Sequence, residues 1–236
     1  MRSVITVATV LGILSYAGAT LAFPYPYLFH EPSAGDASQN RAGAGGIYGT
    51  GGKQDLGIQC SDCHINGAGS IGISLTITKA PSGTATGWDV VNGGDGYQPG
   101  ATYQIQVDMT GQHKFAATNM DTNGMSATFE DQSGKLAGVL TSDSGQTSSS
   151  CPATYPYGTN HKGPGGSATT VLFGDCHAII PFLNVQRTSW TFQWTAPAAG
   201  TGAVTMYVSL VDGDTGGSSS LDDDSITMSY VLAEGP

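Results

Sequence analysis

The residues predict an all-β protein: an immunoglobulin-like antiparallel β-sandwich preceded by an irregular N-terminal segment. Three observations carry this. Apolar residues recur with a period of two in several short runs, the pattern of strands with one buried face. The chain has 35 glycines and only 11% charged residues with abundant Ser and Thr, a composition that opposes a helical bundle and suits short strands joined by tight turns. Roughly seven to nine such runs, separated by Gly, Pro, Asn and Asp, describe two packed antiparallel sheets.

Taken from the N-terminus, residues 1 to 22 carry one early charge, Arg2, then the largely apolar run Val4 to Leu14, then small residues up to Ala22. This is the pattern of a secretory signal peptide. Cleavage after Ala19 or after Ala22 satisfies the small-residue rule, and the second is preferred, leaving Phe23 first. No cysteine follows the cleavage point, so no lipid anchor is expected. No later segment reaches the roughly 18 apolar residues that a membrane span requires. The chain is therefore expected in the oxidising periplasm or outside the cell. Its net charge is −10, which opposes binding to nucleic acid or to anionic membranes and permits a basic partner.

Residues 23 to 69 form the irregular segment. It opens with the aromatic and proline-rich run Phe23 to His30, continues through a Gly/Ala/Ser-rich stretch from Ala34 to Gly52, and reaches Cys60-Ser61-Asp62-Cys63-His64. C-x-x-C-H is the spacing at which two thiols capture the vinyl groups of a haem while the adjacent imidazole reaches the iron. Cys60, Cys63 and His64 are thus expected to hold one covalent haem c, with His64 as the proximal iron ligand. Two other readings stand beside this one: a short CxxC disulfide, and half of a metal site. A closed zinc site would need a second ligand pair, and no second CxxC or HxxxH exists in the chain. The aromatics from Phe23 to His30 serve either as cover for a haem or as a disordered leader.

The sandwich is expected over residues 70 to 236. Ile71, Ile73, Leu75 and Ile77 alternate with Gly72, Ser74, Thr76 and Thr78, the first half-buried strand. The period returns at Tyr103, Ile105, Val107 and Met109, after the turn signal Gln98-Pro99-Gly100. It recurs at Trp190, Phe192 and Trp194, at Val204 to Leu210, and at Ile226, Met228 and Tyr230. Weaker candidates lie at Lys114 to Thr118, Ser126 to Glu130, Leu136 to Leu140 and Thr170 to Phe173.

Two blocks resemble a known family. Tyr97-Gln98-Pro99-Gly100-Ala101-Thr102-Tyr103 through Val107, and Ser189-Trp190-Thr191-Phe192-Gln193-Trp194 through Tyr207, resemble the reelin-type (Reeler) domain. The closer likeness is to its exported bacterial relatives, the choice-of-anchor V proteins. The resemblance spans roughly Ile71 to Leu232, and its second block is the more specific. It implies a sandwich in an extracytoplasmic module, often with a CxxCH just before it, as at Cys60 to His64. It also implies a histidine ahead of the Ser-Trp block, about where His177 stands. The segment from Ser142 to Ser167, with Cys151 and His161, has no counterpart in the family.

With Cys60 and Cys63 consumed by a haem, Cys151 and Cys176 are left to form one disulfide. The sixth iron position then has as candidates His177, His161, His113 and His30, followed by Met109, Met120 and Met125. His177 is preferred, being next to the disulfide and at the family position; its other reading is a hydrogen-bonded structural histidine. Met109 continues an inward-facing pattern and belongs to the core, whereas Met120 and Met125 flank the turn Asp121 to Gly124, at a sheet end within reach of a haem edge. A methionine would raise the potential relative to a second histidine. Asp212, Asp214, Asp222, Asp223 and Asp224 have two readings: a Ca²⁺ site in a loop, or a solvated acidic turn. They do not follow the EF-hand spacing.

No nucleophile elbow, zinc-protease motif or phosphate loop is present, so no enzyme is expected. Two functions follow from these residues. One is a single-haem electron-transfer protein with an unidentified redox partner. The other is a surface or matrix interaction module, binding a cell-surface component, in which the CxxC is a disulfide or the haem is only structural.

Overall fold

The computed structural model describes residues 47–66, 70–80, 96–111, 122–152, 168–172, 174–182, 187–213 and 221–235. The expected signal peptide, the aromatics of residues 23–30, the weak strand at 114–118, and His30, His113, His161, Met120 and Asp214 lie outside the described residues.

Period-two alternation becomes two four-stranded sheets. In the first, β1 (Ile65–Asn66), β10 (Leu221–Leu232), β9 (Val204–Gly213) and β4 (Thr122–Glu130) lie side by side in that order. In the second the order is β2 (Ile71–Ala80), β3 (Thr102–Gly111), β8 (Ser189–Thr195) and β5 (Val139–Ser142). A small ribbon pairs β6 (Thr170–Val171) with β7 (Ile180–Pro181). Named strands pair antiparallel except for the two-residue β1, which runs parallel to β10. The segment before β7 extends the first sheet: Ile179 and Ala127 of β4 exchange two backbone hydrogen bonds, 2.8 and 3.0 Å.

The core lies between the sheets, where the inward sides of the alternating strands meet. Met125, Ala127 and Phe129 of β4, Val204 to Leu210 of β9 at every second position, and Tyr230 and Leu232 of β10 face Tyr103 to Met109 of β3 and Trp190, Phe192 and Trp194 of β8. Phe129 stacks on Trp194 across the gap, with ring centroids 4.2 Å apart, and Tyr103 stacks on the same indole at 5.7 Å. The Trp194 ring N–H donates to the Ala137 carbonyl at 2.7 Å, so its one polar atom is satisfied in the apolar interior.

Two weak strands differ from expectation. The run from Leu136 to Leu140 yields a strand only from Val139, because Gly138 takes a left-handed φ of 83° and a Cβ there would collide with the Thr195 carbonyl. Among the described residues of the run from Thr170 to Phe173, only the two of β6 form a strand. Cys151 and Cys176 are joined in a disulfide as expected, with their Cα atoms 6.1 Å apart. No helix among the described residues is long and apolar enough to cross a membrane.

Candidate functional site

The outward side of β4, β9 and β10 carries small polar residues, as alternation requires, and yet several of them are buried. Ser126, Thr128, Glu130 and Ser209 are at most 1% exposed. The cover is residues 47–64, which fold into a loop laid over that side of the sheet. Thr50 and Gln59 bridge antiparallel to close the loop, and Gly51 N–H to Ile58 O and Cys60 N–H to Gly49 O extend the pairing.

Two carboxylates pin this loop. Glu130 of β4 accepts the backbone N–H groups of Lys53 at 2.7 Å and Gln54 at 3.0 Å. Gly52 is required beside it, because a Cβ there would run into the Glu130 carboxylate. Within the loop Asp55 accepts the N–H of Tyr48 at 3.0 Å, the N–H and hydroxyl of Thr50 at 2.8 and 2.5 Å, and Nε2 of His177 at 3.0 Å. Burial works against the Asp55 charge, but the bonds from His177, Thr50 and Tyr48 together hold its carboxyl below the usual range.

The loop delivers Cys60-Ser61-Asp62-Cys63-His64 onto the sheet. A single 3-10 turn spans Cys60–Asp62, closed by Cys63 N–H and His64 N–H onto the Cys60 carbonyl at 3.2 and 2.8 Å. Asp62 secures the entry by accepting the Gln59 N–H at 2.9 Å. The two thiols are not joined to each other, and their surroundings differ. The Cys60 sulfur lies beside the Ser126 and Ser209 side chains, and burial pushes its pKa up to about 12. Gly49, at φ 69°, leaves room for that sulfur, since a Cβ there would come within 3.1 Å of it. Cys63 is exposed, and burial followed by the Asp62 charge raises its thiol too. Both shifts favour the thiol over the thiolate.

His64 is 6% exposed, and its ring nitrogen Nδ1 lies 2.6 Å from Oδ2 of the buried Asp223 on β10. With the carboxylate accepting, the hydrogen of this contact lies on Nδ1. This is the arrangement that orients an imidazole toward a metal. The donor set fits a covalently held haem: two unpaired thiols three residues apart, and next to them an imidazole with Nδ1 fixed from behind.

His177 stands elsewhere in this scheme. Its Nε2 faces Asp55 at 3.0 Å and its Nδ1 faces Asp175 at 3.2 Å, while the Tyr48 hydroxyl donates to Asp175 at 2.8 Å. Burial alone would lower the pKa of His177, but hydrogen bonds to Asp175 and Asp55 and their charges raise it to about 9. The expectation that His177 supplies the sixth iron ligand does not match this geometry, because both ring nitrogens lie within ion-pair distance of carboxylates. Met125 is likewise corrected, because it is 2% exposed in β4 and belongs to the core rather than to a sheet end. Met109 is in the core, where its alternation put it.

The described side chains of the acidic run lie in strands and are buried. Asp212 lies in β9 and Asp223 and Asp224 in β10, all at most 5% exposed. Asp212 and Asp224 are register partners and face inward with Asn123 of β4, whereas Asp223 faces the other side toward His64. Asp223 and Asp224, as successive strand residues, point to opposite sides of the sheet and do not meet at one ion; Asp214 and the Asp222 side chain lie outside the described residues. Among the described residues no group of three or more His, Cys, Asp or Glu side chains is placed to hold a metal ion.

Sequence reasoning missed Asp223, Asp55, Asp175 and Glu130. Asp223 had a signal: counting back by twos from the inward Ile226 puts 224 inside and 223 outside. Asp55 had none, since its partner, His177, is 122 residues away and its orientation is set only by packing; Asp175 had only its nearness to His177 in sequence.

No family model matches the chain, and no curated protein matches it. Among solved structures it is similar to the Reelin-N domain of F-spondin, at 18% identity over 69% of this chain and 86% of that one, TM-score 0.36. It is also similar to the reeler domain of human F-spondin, at 16% identity over 68% and 91%, TM-score 0.36. A third likeness is to a conjugative transposon lipoprotein from Bacteroides eggerthii, at 13% identity over 67% and 95%, TM-score 0.28. The functional reading therefore rests on the residues of the site themselves.

Proposed function

We propose that the chain is an exported protein carrying one covalent haem, attached through Cys60 and Cys63 with His64 as the proximal ligand, and that it transfers single electrons. The observation that carries this is the His64 imidazole, held through Nδ1 by Asp223 directly after two cysteines that are free of each other. When bound, the haem supplies a one-electron iron couple. The protein supplies the rest. The loop of residues 47–64 places the attachment turn on a sheet that does not give, and its fastening by Asp55 and Glu130 keeps the reorganisation accompanying each electron small. The net charge of −10 favours a basic redox partner.

The test is an intact-mass and visible-absorption record of the mature protein from a host that attaches haem to exported chains. The expected result is a gain of one haem mass that survives acid extraction, with a Soret band that shifts on reduction. His64→Ala should abolish or strongly alter that spectrum. A colourless chain from such a host, lighter than its reduced form by the hydrogens of two disulfides, would replace this reading with that of an interaction module whose CxxC is oxidised.

A further inference from the structure

The geometry points to Asp223 as a positioning residue that fixes His64 in the tautomer able to ligate iron and, through its negative charge, holds the potential of that iron down. This deepens the haem reading and rests on it.

Three contacts tie His64 to one strand. Its Nδ1 meets Asp223 Oδ2 at 2.6 Å, its carbonyl accepts the Ser225 hydroxyl at 2.8 Å, and the backbone just after it joins the sheet as β1, where Asn66 is the register partner of Asp223. Positions 223 and 225 share a side of β10 because strand side chains alternate, so one face of one strand grips both the ring and the main chain of His64. The ring cannot turn over without breaking a bond between side chains that are 6% and 0% exposed.

The chemistry follows from what the acceptor is. A neutral carbonyl behind a ligating imidazole orients it. A carboxylate orients it and also draws on the Nδ1 hydrogen, which shifts the ring toward imidazolate and makes the far nitrogen a stronger donor. Burial keeps water from screening this charge. A richer donor, with a fixed negative charge behind it, favours the ferric over the ferrous state, through hydrogen bonding beyond the iron's own ligands.

Asp223→Asn separates charge from shape, since the amide keeps an acceptor oxygen in the same volume. In the full exported chain matured with haem, spectroelectrochemical titration should show the midpoint potential of Asp223→Asn moved to more positive values with the haem mass retained. Ser225→Ala, which loosens the main chain but leaves the carboxylate, should leave the potential in place. An unchanged potential in a haem-bearing Asp223→Asn protein would overturn the proposal. If that variant loses its haem or fails to fold, the wild-type full chain without haem decides: ring nitrogen NMR at mildly alkaline pH should find the His64 hydrogen on Nδ1, and a hydrogen on Nε2 overturns the assignment. Failure of the haem reading itself would appear as a wild type without haem mass, a result on which the tautomer measurement does not depend.

Discussion

His177 ties the N-terminal loop to the edge of the sheet by charge, bridging Asp55 in the loop and Asp175 beside the disulfide. Its pKa in the folded chain, about 9, exceeds the ordinary 6.5, so folding tightens proton binding. The stabilisation is complete below the unfolded value of about 6.5 and is lost as pH rises through about 9. Urea midpoints should therefore fall across that alkaline interval, and His177→Gln should flatten the decline; an equally steep decline in the variant would sink this account. The neighbouring Cys176 sits at a left-handed φ of 59°, unusual for a residue with a side chain, and is held there by its disulfide on one side and the Asp175–His177 contacts on the other. The disulfide and the reading of His177 as a hydrogen-bonded structural histidine were legible beforehand, and its carboxylate partners were not. Asp175 is close to His177 in sequence, but Asp55 is brought to it only by the docking of a segment far away in the chain.

Among the elements, the loop of residues 47–64 has the least apolar anchorage, resting on Tyr48 and its small cluster with Val171, Ala178, Ile180 and Phe182. Its other fastenings are hydrogen bonds: Glu130 of β4 holds it at Lys53 and Gln54, and Asp223 and Ser225 of β10 hold it at His64. Glu130→Ala should leave the Lys53 and Gln54 N–H groups without their acceptor and destabilise the fold by about 2 kcal/mol, given the strength of hydrogen bonds to charged groups. Limited trypsin digestion should then cut at Lys53 before the sandwich unfolds; cutting at an unchanged rate would show that other contacts hold the loop. The strands themselves were legible, because the alternations at Tyr103 to Met109, Trp190 to Trp194 and Val204 to Leu210 each bury one side. The acidic run was misread for the opposite reason: Asp212 and Asp224 continue inward positions of β9 and β10 with polar side chains, so the apolar period stops before the strands do. The loop was invisible to periodicity, being held by backbone pairing and carboxylates and presenting no repeating face.

Across the whole molecule, Trp194 joins the two sheets through its stack on Phe129 and joins the core to the β4–β5 connection through Ala137. Trp194→Ala should cost about 3–5 kcal/mol, the range for emptying a large aromatic from a core, read as a lowered urea midpoint with an unchanged slope. A loss under about 1 kcal/mol would mean that the neighbouring rings close the gap unaided. The fold class was legible because it is written in many strands at once, and the attachment motif because its residues are contiguous; the polar face on which the motif rests was not, since it is assembled from β4, β9 and β10. That dispersal sets an order of events. The shelter of the Cys60 sulfur needs Ser126 and Ser209, and the seat of the His64 ring needs Asp223, so the pocket does not exist until nearly the entire polypeptide has been made. Until then both thiols stand open on an unfinished chain. Covalent modification of Cys60 is thus easiest before β10 completes that pocket.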